Sequence, residues 1–83
     1  MEYVIAIYRS RSVTISAYNY LLNKGVNCAL ISTPRSANVG CGLSVKFSRD
    51  ALSAVRATLS LGETFVGFYL ARVTLNGTTL TRI

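Results

Sequence analysis

Histidine is absent from this sequence, and only three of its 83 residues are acidic: Glu2, Asp50 and Glu63. Without histidine the usual zinc-ligand spacings cannot be assembled, so no structural metal is expected. The three carboxylates fall at the ends of the elements read below, and none is paired for general acid–base work, which argues against hydrolytic catalysis. Two cysteines, Cys28 and Cys41, are too few to form a disulfide scaffold. No apolar run approaches the roughly 18 residues needed to cross a bilayer. An acidic residue at position 2 stands where a secretory leader would be basic. The expectation is a cytoplasmic protein with no membrane segment, metal or cofactor.

What the sequence does hold is apolar and basic. With 51% hydrophobic residues in 83 positions, the chain fits one domain spanning residues 1–83, near the size at which burial only just offsets chain entropy. The formal net charge of +6 is spread from Arg9 to Arg82 rather than gathered in a tract. Such a surface attracts anions, whether nucleic acid, acidic partner proteins or small oxyanions. The five tyrosines are most simply core or helix-face residues, so nucleic acid is the least favoured of the three. Oligomeric state is left open, a dimer included.

The periodicities give an alternating order of elements. "EYVIAIY", Glu2 to Tyr8, is apolar on both faces and rich in β-branched and aromatic residues, as an inner strand should be. "SRSVTISAYNYLLNKG" then places Val13, Ala17, Tyr20 and Leu21 at helical spacing, offers serines as N-cap and stops at Gly25. A second strand is predicted over Val26 to Ser32, ended by Pro34. Leu43, Val45 and Phe47 alternate with Ser44 and Lys46 as a third, half-buried strand. Ser48 should cap a second helix with Ala51, Leu52, Val55 and Leu59 on one face, ending at Gly62. Phe65 to Val73 reads as a fourth strand, and Asn76-Gly77 as the type I′ turn of a short C-terminal hairpin. Strand, helix, strand, strand, helix, strand describes an α+β two-layer sandwich of the ferredoxin-like kind, βαββαβ, with an antiparallel sheet and both helices on one face.

That topology brings chemistry to one edge. The end of the first strand, the start of the first helix and the loop "TPRSANVGCG" should share it, so that Arg9, Ser10, Arg11, Arg35 and Cys41 converge. A thiol is a nucleophile only as thiolate, a form favoured by nearby cations or a helix N-terminus and by partial exposure. Gly40 and Gly42 leave Cys41 unshielded and free its neighbouring N–H groups to form an anion-binding nest. Arg9 and Arg11 stand at the positive end of a helix dipole, where a bound anion or the Cys41 sulfur itself would compensate them. Arg35 adds a planar fork for oxyanions. The simpler reading makes Gly-Cys-Gly a tight turn around a small hydrophobe, and the arginines solvated. Cys28, inside a strand, reads as an inert core thiol.

"YRSRS", "STPR" and "VGCGLSVKF", each placed at the end of a strand or leading into the next, resemble a small bacterial family described as selenium/sulfur carrier protein-like. The shared pattern is T-P-R, five residues, C-G-L, and the resemblance runs from about Tyr3 to Val73. It implies that Cys41 carries sulfur or selenium as a persulfide or perselenide between a donor and an acceptor protein. Thr33, Pro34, Arg35, Gly40 and Gly42 are the matching loop positions. The chain departs from the family at Asn38 and Val39, where a small hydroxyl residue is common, and Thr74 to Ile83 extends past its usual end. A carrier of this kind is not an enzyme in the strict sense. The alternative, on the residues alone, is a module that holds a small anion at the basic edge with Cys41 a bystander.

Overall fold

The computed structural model describes residues 1–59 and 62–83. Its elements are β1 (Glu2–Tyr8), α1 (Arg11–Asn23), β2 (Cys28–Ser32), β3 (Leu43–Phe47), a 3₁₀ turn (Arg49–Ala51), α2 (Leu52–Thr58), β4 (Phe65–Thr74) and β5 (Gly77–Arg82). The strands form one antiparallel sheet in the order β2-β3-β1-β4-β5. The expected α+β sandwich is therefore present, with β5 added beyond β4.

Alternation along β1 divides the core between the two faces. Val4, Ala6 and Tyr8 pack with Val45, Phe47 and Phe68 against Ala17 and Leu21 of α1 and Val55 of α2, so both helices cover this face. Ile5 and Ile7 point the other way and are nevertheless fully buried, as are Ser44 and Ala71. On that side, Lys46 lies 4.5 Å from the centre of the Tyr3 ring. Gly40 of the loop before β3 comes down beside Ile7.

α1 begins as its residues dictate. Ser10, in extended conformation, accepts a hydrogen bond from the Val13 N–H at 3.2 Å, and Gly25 takes φ +81° after the C-cap. Three local expectations are corrected. β2 starts at Cys28, because Val26 still donates back to the Leu21 carbonyl in the closing turn of α1. Ser48 makes no side-chain cap; the chain enters α2 through the 3₁₀ turn, and α2 is over by Leu59, whose backbone is extended. The rest of the predicted helix, at Ser60 and Leu61, lies outside the described residues. The hairpin turn is centred on Leu75-Asn76, since Thr74 pairs with Gly77. Gly77 carries a positive φ of 124°, whereas Leu75 and Asn76 do not have the positive φ that a type I′ turn demands, and the strand register runs unbroken to the turn. The Thr74 hydroxyl accepts from the Asn76 N–H and donates to the Gly77 carbonyl, which fixes this choice.

Tyr8 holds the one conspicuous polar defect among the described residues. Its ring is fully buried, edge-on to Phe65 at 5.2 Å between centroids, and its hydroxyl has no hydrogen-bond partner. Burial pushes the phenol up to about 12 from 10.0. A raised folded value means that Tyr8 contributes fully below about pH 10, and that its contribution drains away as pH climbs toward 12. Tyr8→Phe removes both the orphan group and this alkaline loss. In urea titrations the variant should be about 1 kcal/mol more stable at pH 7 and should lose less stability than the parent above pH 10; a net loss at pH 7 would refute this account.

Candidate functional site

The loop between β2 and β3 is closed at its base by three contacts. The Thr33 N–H donates to the Gly42 carbonyl at 2.9 Å, and the Thr33 and Ser44 hydroxyls are 2.5 Å apart. The Cys41 N–H donates to the Tyr8 carbonyl at 3.1 Å, tying the loop to the end of β1. Within the loop, Ala37 N–H donates to Pro34 O at 3.0 Å, and Asn38, Gly40 and Gly42 have φ of +48°, +81° and +86°. The far end reaches across to the C-terminal hairpin, where the Ser36 hydroxyl donates to the Thr78 carbonyl at 3.2 Å.

Gly40 and Cys41 therefore face opposite ways. Gly40 lies over Ile7 on the side away from the helices, whereas the Cys41 side chain turns to the first turn of α1. Its Sγ is 3.6 Å from the Thr14 Oγ1 and 3.6 Å from the Leu43 carbonyl. The thiol is free and half-buried. The first turn of α1 carries no acidic residue, so nothing there offsets the positive end of the helix dipole.

Of the residues expected to converge, some do and some take structural work. Ser10 stands at the α1 turn that Cys41 approaches, with its hydroxyl engaged as the cap. Thr33 closes the loop base. The Cys41 N–H, expected to help form an anion nest, is used by Tyr8. Arg35 lines a groove of about 450 Å³ with Thr33, Pro34, Asn38, Val39, Gly40 and Gly42, and Cys41 is not among those lining residues. Arg9 and Arg11 are exposed at the start of α1. Among the described residues, Arg9, Arg11 and Arg35 have no carboxylate partner: the Glu2 carboxylate is taken by Arg72 and Arg49. Arg72 above all holds Glu2 below the usual carboxylate range. None of the three arginines is hydrogen-bonded to the Cys41 sulfur.

Cys28 lies at the opposite end of β2 from the loop, its thiol donating to the Tyr18 carbonyl at 3.8 Å. Burial pushes this thiol up, and the residue is half-buried, packed against the core rather than within it. Sequence reasoning missed Thr14, fully buried and 3.6 Å from the sulfur; it falls on the buried side of α1 with Ala17 and Leu21, but only the fold puts Cys41 there. It also missed Ile7, which seats Gly40.

The T-P-R and C-G-L elements of the motif are thus the two feet of one loop, drawn together by the Thr33–Gly42 and Thr33–Ser44 bonds. The family described as "Putative Se/S carrier protein-like" matches residues 2–64. The chain belongs to this family. Its Se/S carrier-like stretch takes in β1, α1, the whole loop with Cys41, and α2, and stops one residue before β4. No curated protein and no solved structure matches the chain. β4 and β5 thus lie outside the carrier-like match, although β4 is a central partner of β1. Among the described residues of this family member, no helix is long and apolar enough to cross a membrane, and no group of three or more histidine, cysteine or carboxylate side chains could hold a metal ion.

Proposed function

We propose that this protein is a sulfur or selenium carrier whose cargo rides on Cys41. The observation that carries the reading is the family match across residues 2–64, which includes Cys41 and its loop. The geometry supports it: a free, half-buried thiol stands on a loop closed by hydrogen bonds, at an uncompensated helix start. Loading is an exchange between sulfurs. The Cys41 thiolate attacks the terminal sulfur of a donor enzyme's persulfide; the donor S–S bond breaks, a new one forms on Cys41, and the donor cysteine leaves as thiolate. No net oxidation occurs. Unloading repeats the step, with an acceptor thiolate attacking and Cys41 leaving. Arg9, Arg11 and Arg35 supply positive charge that recruits anionic partners to this end of the sheet.

The test is incubation with a cysteine desulfurase and cysteine, followed by intact-mass analysis. The expected product carries about 32 additional mass units, or about 80 when selenium is supplied, on the peptide containing Cys41. Cys41→Ser should abolish the adduct. Loading that persists in Cys41→Ser, or that falls on Cys28, refutes the carrier reading.

The groove at Arg35 favours a second reading, a module that holds a small oxyanion away from the sulfur. It requires phosphate or sulfate to raise the melting temperature equally in the parent and in Cys41→Ser, and to have no effect in Arg35→Ala.

A further inference from the structure

The Cys41 sulfur has two oxygen neighbours, and both are poised as acceptors. Leu43 offers a carbonyl at 3.6 Å. Thr14 offers a hydroxyl at 3.6 Å whose single proton is donated to the Ser10 carbonyl at 2.8 Å. This suits a neutral S–H, which can donate to either oxygen. An anionic sulfur would face two lone pairs unless one neighbour turns a proton toward it, and only Thr14 can.

Thr14 can do so at little cost. The Ser10 carbonyl also accepts the Thr14 backbone N–H at 3.0 Å, the first bond of the helical ladder. When the hydroxyl swings away, that carbonyl remains satisfied and no buried acceptor is orphaned. The hydroxyl is itself fully buried, so no water competes for its proton, and a hydrogen bond to an anion is stronger than the neutral one it replaces. Capping and switching are separated along the turn: Ser10 holds the helix end through its own hydroxyl while Thr14 is left to serve the sulfur.

We propose that Thr14 is a positioning residue whose hydroxyl donates to the Cys41 sulfur whenever that sulfur is anionic. Its part in cargo transfer rests on the carrier reading: the same anion is the nucleophile in loading and the leaving group in unloading, so one donor assists both directions. The hydrogen bond itself does not depend on cargo and is tested on the bare thiol.

The experiment compares the parent with Thr14→Val, which keeps the shape and removes the proton, and Thr14→Ser, which keeps the proton. Alkylation of Cys41 by iodoacetamide is followed across pH by peptide mass, with Cys28 as internal reference. Thr14→Val should react about five-fold more slowly at pH 7, its pH–rate profile displaced to higher pH, while Thr14→Ser follows the parent and Cys28 is unchanged. Should valine not fit the site, as judged by a lost thermal transition, Thr14→Ala replaces it with the same expectation. Profiles of Thr14→Val and the parent that superimpose, or a Thr14→Ser protein as slow as the valine variant, overturn the proposal. Neither result touches the carrier reading, which stands or falls on the mass of the loaded parent and of Cys41→Ser.

Discussion

Gly40→Ala is expected to melt roughly 15 °C below the parent, the largest single effect of any substitution in the loop. Two costs combine at this position. Its φ of +81° lies in the left-handed region that side chains avoid, a penalty of about 1 kcal/mol. A Cβ there would also meet the Ile7 Cγ2 at 2.5 Å and the Tyr8 carbonyl oxygen at 2.9 Å. The methyl group could move, but the carbonyl is backbone at the end of β1, the central strand, and yields only if the strand or the loop shifts. Overpacking of this kind costs a further 1–3 kcal/mol or so, and for a domain of this size about 3 kcal/mol corresponds to roughly 12–24 °C. Gly42 is the control. It has nearly the same φ, +86°, and open space around it, so Gly42→Ala should lose only about 1 kcal/mol. Differential scanning calorimetry of the two alanine variants decides the matter; equal shifts would mean that close packing on β1 plays no part. Displacing Gly40 also pulls the adjacent Cys41 N–H from the Tyr8 carbonyl, so Gly40→Ala should lose the fit of the sulfur against Thr14 as well.

The second large effect is on the other side of the same contact. Ile7→Ala should destabilise by about 3 kcal/mol, as deletion of a fully buried aliphatic side chain does when its surroundings relax only in part. Ile7 has no helix above it; the backbone of the loop at Gly40 is part of its cover. The two substitutions should therefore couple. In the Ile7→Ala background the methyl nearest the new Cβ is gone, and Gly40→Ala should cost less than in the parent by about 1 kcal/mol, with the Tyr8 carbonyl clash remaining. Urea titration of the four proteins of this cycle measures the coupling, and strict additivity would show that Ile7 does not seat the loop.

How much of this could be read from the residues varies with the range of the interactions involved. Glu2 to Tyr8 is a strand on composition alone, and α1 is written in its periodicity, its serine cap and Gly25. Asn-Gly, the favoured pair for a type I′ turn, predicts a hairpin turn one residue later than the observed one, which Thr74 captures with its own hydroxyl. Ser48 was passed over as a cap because the chain entered α2 through a 3₁₀ turn. In the loop, the resemblance singles out Thr33 and the glycines. Their roles were not legible there, since Thr33 works by bonding to Ser44 and Gly40 by fitting against Ile7, eleven and thirty-three positions away in sequence.

Local chemistry and hydrophobic periodicity were enough to determine the βαββαβ order of elements, because each element depends on neighbours within a turn or a strand, whereas the family came from a resemblance carried by short stretches of sequence. The tertiary structure alone decided which way Cys41 points, that its side-chain partner is a buried threonine rather than an arginine, and that Arg35 belongs to a groove of its own. The reason is geometric: the path of the loop is set by left-handed turns at Asn38, Gly40 and Gly42 and by the close approach of Gly40 to β1, a contact between residues far apart in sequence.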